Sequence, residues 1–109
     1  MVHRIRLRGP WRSARVSGAT RYLRHFNGPT GIDQRTEVVL VIQSFTGDTI
    51  VHLNGDRLGK TDGSTGPVRY SITQQLKLHN EIWIDVWDAA ERNPSTSPEV
   101  PFEVQLEMT

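Results

Sequence analysis

The sequence predicts an all-β fold, an antiparallel sandwich or barrel. Three observations carry that expectation. Apolar and polar residues alternate over short runs, as they do on half-buried strands. No run keeps a 3.6-residue period over the ~10 residues that a globular helix usually needs. Asn54-Gly55 stands between two extended runs, and a type I′ hairpin turn requires positive φ at both of its central residues, which Asn and Gly tolerate best. About seven or eight strands joined by Gly/Pro loops then stack as two layers or close on themselves.

Taken in order, His3 to Trp11 alternates, with Ile5 and Leu7 on one side and Arg4, Arg6 and Arg8 on the other. Gly9-Pro10 stops or bends this strand. Trp11 to Val16 reads as a second short strand or an irregular continuation. Ser17 to Thr36 is rich in Gly, Pro, Thr and Asn, and is expected to be a long ordered loop with a short strand near Arg21 to His25; such loops are often functional. Glu37 to Phe45 is the expected central strand, since Val38 to Ile42 is apolar on both faces and rich in β-branched residues. Thr46-Gly47-Asp48 turns the chain into the hairpin, where Val51 and Leu53 face one way and Ile50 and His52 the other. The second arm, Asp56 to Lys60, is short and polar, and Thr61 to Pro67 is a loop. Ser71 to Leu78 reads as one helical turn or a bent strand. In Ile82 to Trp87, Ile82, Ile84 and Val86 form one face, and Trp83, Asp85 and Trp87 the other. Ala89 to Pro101 is a proline-bearing loop. The last strand sets Phe102, Val104, Leu106 and Met108 inward and Glu103, Gln105 and Glu107 outward.

Length and composition set bounds. At 109 residues the chain suits a single domain with one core. A net charge of +1 argues against a dedicated nucleic-acid partner, which calls for many uncompensated cations. The absence of cysteine removes disulfides, thiol nucleophiles and cysteine-ligated zinc. No apolar run approaches the ~20 residues that span a bilayer, so no membrane partner is expected. Met1 to Arg6 lacks the apolar centre of a signal peptide. The expectation is an intracellular protein or a domain belonging to a longer chain, and the compartment stays open.

Charge is uneven along the chain. Up to Phe26 there are seven arginines and no acid; from Glu81 onward there are seven acids and only Arg92. A basic surface for an anionic partner is one reading. The plainer one places the first and last strands side by side, with Arg4, Arg6 and Arg8 facing Glu103 and Glu107. The matching alternation of the two strands favours the plainer reading.

Val51-His52-Leu53-Asn54-Gly55-Asp56-Arg57-Leu58-Gly59 resembles the "V-x-L-N-G-x-x-[LV]-G" hairpin of the jelly-roll sugar-binding domain found at the N-terminus of the β-galactosidase and β-glucuronidase family of glycoside hydrolases. Tyr70-Ser71-Ile72-Thr73-Gln74-Gln75-Leu76 is similar to its "[FY]-D-I-T-x-x-L", and Asn80-Glu81-Ile82-Trp83-Ile84-Asp85-Val86 to its "N-x-[IL]-x-[IV]-x-V". Order and spacing agree. The Asp of the second element is Ser71 here, and Gly63 to Val68 replaces the usual glycine-aromatic loop. The resemblance implies a galactose-binding-like jelly-roll β-sandwich and, at most, a binding role. The family's catalytic carboxylates sit in a later barrel, so no catalytic residue carries over.

Other chemistries find little support. Gly59-Lys60-Thr61 lacks the glycine spacing and following helix of a phosphate loop. His3, His25, His52 and His79 have no helical ligand spacing. Asp33, Asp48 and Asp62 are loop oxygens for a structural calcium with no spacing to support them. Gly63-Ser64-Thr65-Gly66 is too short for a nucleophile elbow, and nothing selects a carboxylate pair for glycoside cleavage. The chain is therefore expected to be non-catalytic, with no cofactor and no metal.

Trp83, Asp85 and Trp87 are the leading candidates for ligand binding. The two indoles share a strand face ~13 Å apart, and a flat indole stacks on a sugar ring while a carboxylate accepts hydroxyl hydrogen bonds. Alternatively, the Ser17–Thr36 loop covers this face and both tryptophans fill core space. Arg24, His25, Asn27 and Arg35 form a second candidate set in that loop, able to grip a sugar or a carboxylate or simply to pair with acids. The partner expected is a carbohydrate. A protein docked on the Trp face or a strand edge is the alternative.

Overall fold

The computed structural model describes residues 3–29, 35–44, 48–61, 66–87, 100 and 102–109. Nine strands form among the described residues: β1 His3–Arg6, β2 Arg12–Val16, β3 Ala19–Asn27, β4 Val38–Ser44, β5 Asp48–Leu53, β6 Asp56–Thr61, β7 Val68–Ser71, β8 His79–Trp87 and β9 Phe102–Met108. They make a four-stranded sheet, order β1-β9-β4-β7, and a five-stranded sheet, order β2-β3-β8-β5-β6. Every pairing is antiparallel. The fold is the predicted all-β sandwich.

Period-two alternation decides which side chains enter the core. Leu40 and Ile42 of β4, Val51 and Leu53 of β5, Ile82 and Ile84 of β8, and Leu106 of β9 are fully buried between the sheets, together with Ile72. Apolar burial of this kind contributes about 25 cal/mol per Å² and is the main favourable term. Val41, on the opposite face of β4, is also buried.

Asn54-Gly55 reverses the chain as predicted, with φ of 52° and 88°. A second hairpin of the same kind appears at Ser17-Gly18, with φ of 47° and 84°. This corrects the expectation of a long loop over residues 17–36 with only a short strand near Arg21 to His25: that strand is β3, nine residues long, which pairs with β2 on one side and β8 on the other, and lies beside the Trp face in the same sheet instead of covering it. Polar β-strand residues such as Thr, Arg and His weaken the apolar signal without weakening the strand, because the ladder partner, not the local composition, holds it.

The first and last strands do lie side by side. Arg4 is in register with Glu107 and bonds it at 3.1 Å. The other expected pairs are not made: Arg6 faces Gln105, and β1 ends before Arg8 can come opposite Glu103. Glu107 instead takes a second arginine, Arg69 of β7. The two guanidinium groups hold its carboxyl below the usual carboxylate range, Arg69 contributing most.

The three elements that carried the family resemblance meet in one place. Asn54 donates through Nδ2 to the Gln75 carbonyl and to Asn80 Oδ1, both at 3.0 Å, and its Oδ1 accepts from the Glu81 amide at 2.9 Å. Asn80, fully buried, accepts from the Lys77 amide at 2.8 Å and donates to the Lys77 carbonyl at 2.9 Å. Residues 72–76 form one α-turn, closed by the Leu76 amide on the Ile72 carbonyl. Thr73 Oγ1 accepts from the Val38 amide at 2.9 Å, tying the turn to β4. Gly59 is glycine because the Tyr70 ring lies on it: a Cβ there would stand 2.7 Å from the phenol oxygen. The motif is therefore a packing device, in which hairpin, turn and strand hold one another in register.

Asp33, Asp62, the Gly63–Thr65 segment and most of the Ala89–Pro101 loop lie outside the described residues. Asp48, the remaining calcium candidate, pairs with Lys60 at 3.3 Å. Among the described residues there is no group of three His, Asp or Glu side chains that could hold a metal ion, and no helix long and apolar enough to cross a membrane.

Candidate functional site

The odd-numbered residues of β8 point away from the core, and cross-strand register fixes their neighbours. Trp83 lies between Leu23 of β3 and His52 of β5. Asp85 lies between Arg21 and Ile50, and Trp87 opposite Asp48. Together these residues form the outer face of the five-stranded sheet. No strand among the described residues crosses it.

Arg21 organises the face. Its Nε and Nη2 donate to the two carboxylate oxygens of Asp85 at 2.7 and 2.9 Å, a bidentate pair. The same guanidinium lies 4.6 Å from the centroid of the Trp83 ring, in cation–π contact. Hydrogen bonding to Asp85 raises the Arg21 pKa further above its ordinary value. His52 packs against the other neighbour side of Trp83, with centroids 5.1 Å apart. Burial lowers the His52 pKa, outweighing the pull of Asp85, and so favours the neutral ring. Neither Trp83 Nε1 nor His52 Nδ1 has a hydrogen-bond partner.

Trp83 is thus half-buried under Arg21, and Asp85 is buried with both oxygens engaged. Trp87 differs. It is 38% exposed, one of three large hydrophobic side chains open to solvent among the described residues. Arg21 and His52 were not among the candidates read from the sequence. The signal that finds them is the β3–β8–β5 register, which places each directly opposite a candidate.

The second candidate set does not gather into one site. Arg24, His25 and Asn27 lie on β3, not in a loop. His25 and Asn27 share the outer face with Trp83, where His25 pairs with Glu81 and Asn27 with His79, both at 3.1 Å. Arg24 points to the opposite side and donates to the carbonyls of Arg8 and His25, not to an acid. Arg35 is exposed ahead of β4 and is itself engaged.

The fold and this face define a two-sheet antiparallel β-sandwich with one aromatic outer surface. No family model matches the sequence, and no curated protein sequence matches it. Solved structures do match. The chain is similar to a β-glucuronidase from an uncultured Clostridium sp., with a TM-score of 0.78 and 15% identity over 99% of this chain and 29% of that one. A β-D-glucuronidase from Dictyoglomus thermophilum gives 0.76 and 15%, over 99% and 28%. A β-glucuronidase from Faecalibacterium prausnitzii gives 0.73 and 14%, over 99% and 31%. The chain therefore has the fold of one domain-sized part of these proteins and spans less than a third of their length. This agrees with the resemblance read from residues 51–86.

Proposed function

We propose that this chain is a non-catalytic binding module whose ligand is carbohydrate, seated on the outer face of the five-stranded sheet. One observation carries the reading: Trp87 stands exposed at the end of a face that already presents a second indole on the same strand. An exposed flat aromatic beside hydrogen-bonding side chains suits the apolar face and hydroxyl rim of a sugar ring. Arg21 and His52 supply further polar groups, and Trp87 is the stacking platform. A shallow face pays ordering costs for little burial, so affinities in the micromolar to millimolar range are expected. Support for a non-catalytic role comes from the acids on this face. Asp85 is held by Arg21, Glu81 by His25 and Asp48 by Lys60, which leaves no free carboxylate pair on this face among the described residues for glycoside cleavage.

A glycan array followed by tryptophan fluorescence titration tests the reading. Trp87→Ala should weaken binding by about thirtyfold, the loss of a dominant aromatic contact, while leaving the fold intact. Absence of any saccharide signal, or affinity unchanged in Trp87→Ala, refutes it.

A second reading, docking of a protein on the same face, is favoured by the arrangement of Trp83 and Asp85. Arg21 already occupies the indole and both carboxylate oxygens, and Leu23 and Ile50 flank them. Dimerisation in sedimentation experiments that Trp87→Ala abolishes, with no sugar response, would select it.

A further inference from the structure

Among the described residues the sandwich has free strand edges at β1 and β7 of one sheet and at β2 and β6 of the other. The edge of β1 is built differently from the rest. All of its residues are exposed. The Leu7 amide bonds the Val104 carbonyl at 2.9 Å, which continues the β1–β9 ladder by one residue. Hydrogen-bonded pairs alternate along an antiparallel ladder, so His3, Ile5 and Leu7 direct their backbone groups to β9. The N–H and C=O of Arg4 and Arg6 then face the open side, where no strand among the described residues takes them. Such a row is a template for a further strand.

The side chains beside that edge are of two kinds. Ile5 shares the inward phase of β1, in register with buried Leu106, yet it is 43% exposed. It borders a cleft of about 390 Å³ between β1 and the end of β3, whose apolar floor includes Leu7, Phe26 and Leu106. β2 pairs with β3 only as far as Leu23, which leaves residues 24–27 without a strand on that side. The second kind is cationic. Arg6 and Arg8 are exposed, and neither guanidinium makes a hydrogen bond or ion pair among the described residues, whereas Arg4 is held by Glu107. Each free guanidinium presents a planar fork of donors that matches a carboxylate.

We propose that β1 accepts an extended acidic peptide as an added strand, with acidic side chains against Arg6 and Arg8 and an apolar one against Ile5. The chain itself displays the matching pattern. β9, on the closed side of β1, alternates in this way, with Leu106 opposite Ile5 and Glu107 opposite Arg4. An acidic peptide of the same alternation repeats on the open edge what β9 does on the other. Main-chain bonds then supply affinity, and alternate side chains supply specificity. A second copy of the chain does not suit this edge. β1, β2, β6 and β7 each carry net positive charge, including Arg12 and Arg15 on β2, Arg57 and Lys60 on β6 and Arg69 on β7, and like charges directly opposite each other destabilise a strand pair. Charged edges deter indiscriminate strand addition; an acidic strand is the one that these arginines admit. A phosphate or sulfate polymer would meet the arginines but leave Ile5 and the open amides unused. The edge belongs to the other sheet from Trp87, and the proposal stands independently of the face described above.

Titration of the full chain with a short, end-blocked peptide that alternates Glu and Val tests this, read by ¹H–¹⁵N NMR and amide exchange. The peptide should shift the β1 amides in a saturable way. Near nine-tenths saturation the Arg4 and Arg6 amides should exchange about tenfold more slowly than in the free chain. A peptide with Gln in place of Glu should bind about tenfold more weakly, the scale of one charge-assisted contact, and added salt should weaken only the Glu peptide. N-methylation of alternate peptide amides removes the donors along one edge, so methylation in one phase should abolish binding and in the other phase should spare it. Arg6→Gln/Arg8→Gln changes exposed, unpaired side chains, so its melting temperature should hold while affinity falls about tenfold or more. Arg6→Glu/Arg8→Glu should instead take a peptide that alternates Lys and Val. Trp87→Ala should leave the peptide shifts unchanged. Equal binding of both methylated forms, unchanged exchange at Arg4 and Arg6, affinity retained in Arg6→Gln/Arg8→Gln, tighter binding of polyphosphate than of the peptide, or self-association of the chain that this double variant abolishes would each overturn the proposal.

Discussion

Asn54→Gly separates two roles that one residue performs. If Asn54 served only the turn, glycine would replace it at little cost, because glycine adopts φ near 52° without strain. The remaining penalty would be the larger entropy of the unfolded chain, about 0.4–1 kcal/mol. The structure adds a second role. The amide makes three hydrogen bonds, to Gln75, Asn80 and Glu81, each worth about 1 kcal/mol net, more where the stranded partner is buried. Asn80 is such a partner at 1% exposure. The expected total is about 3–4 kcal/mol, against a stability of roughly 5–15 kcal/mol for a natural domain. Ser17→Gly is the internal control. It sits at the same turn position with φ of 47°, its exposed side chain makes no hydrogen bond among the described residues, and its cost should be the entropic term alone. Urea unfolding of both variants measures the difference, with an unchanged slope marking a change in stability and not in the denatured state. In thermal melts a 3 kcal/mol loss corresponds to a fall of roughly 12–24 °C. Equal destabilisation of the two variants would refute the reading of Asn54 as the tie between hairpin, turn and β8.

Three other perturbations follow from the same structure. Arg21→Ala leaves a buried carboxylate without its bidentate partner and should cost about 2 kcal/mol; it should also change Trp83 fluorescence, which Arg12→Ala on the neighbouring strand should not. Glu107 has a pKa lowered from its ordinary 4.5 by Arg69 and Arg4, so its contribution is fully present above pH 4.5 and is lost as pH falls through the lower folded value. Glu107→Gln should remove that acid limb from a plot of urea midpoint against pH. His52 has a pKa lowered from 6.5 by burial. The folded state prefers the neutral ring, so this contribution is present above pH 6.5 and declines as pH drops below it. His52→Gln should flatten the same plot between that point and the carboxylate limb.

Which parts of the molecule could be read in advance follows from the range of each interaction. The alternation in Ile50–Leu53, Ile82–Trp87 and Phe102–Met108 is a local property of the pleat. It assigned inward and outward faces correctly, including the shared face of Trp83, Asp85 and Trp87. The Asn54-Gly55 turn was likewise local, since positive φ restricts residue type. The Ser17-Gly18 hairpin carries the same chemistry, but it precedes a strand whose polar residues, Thr20, Arg21, Arg24 and His25, masked its period. The sequence therefore shows only a short strand near Arg21 to His25 inside a long loop, and places the candidate cluster of Arg24, His25 and Asn27 in that loop.

The sequence by itself determined the class of fold, the inward set of each strong strand and the position of the central hairpin, because those depend on neighbours within a few residues. Only the tertiary structure decided that Arg21 meets Asp85 across 64 positions, that Glu107 is shared by Arg4 and Arg69, and that the free edge of β1 borders a cleft beside Phe26. Such pairings rest on strand order and register. Those are set by how all the strands bury their apolar faces together, and no single segment encodes them.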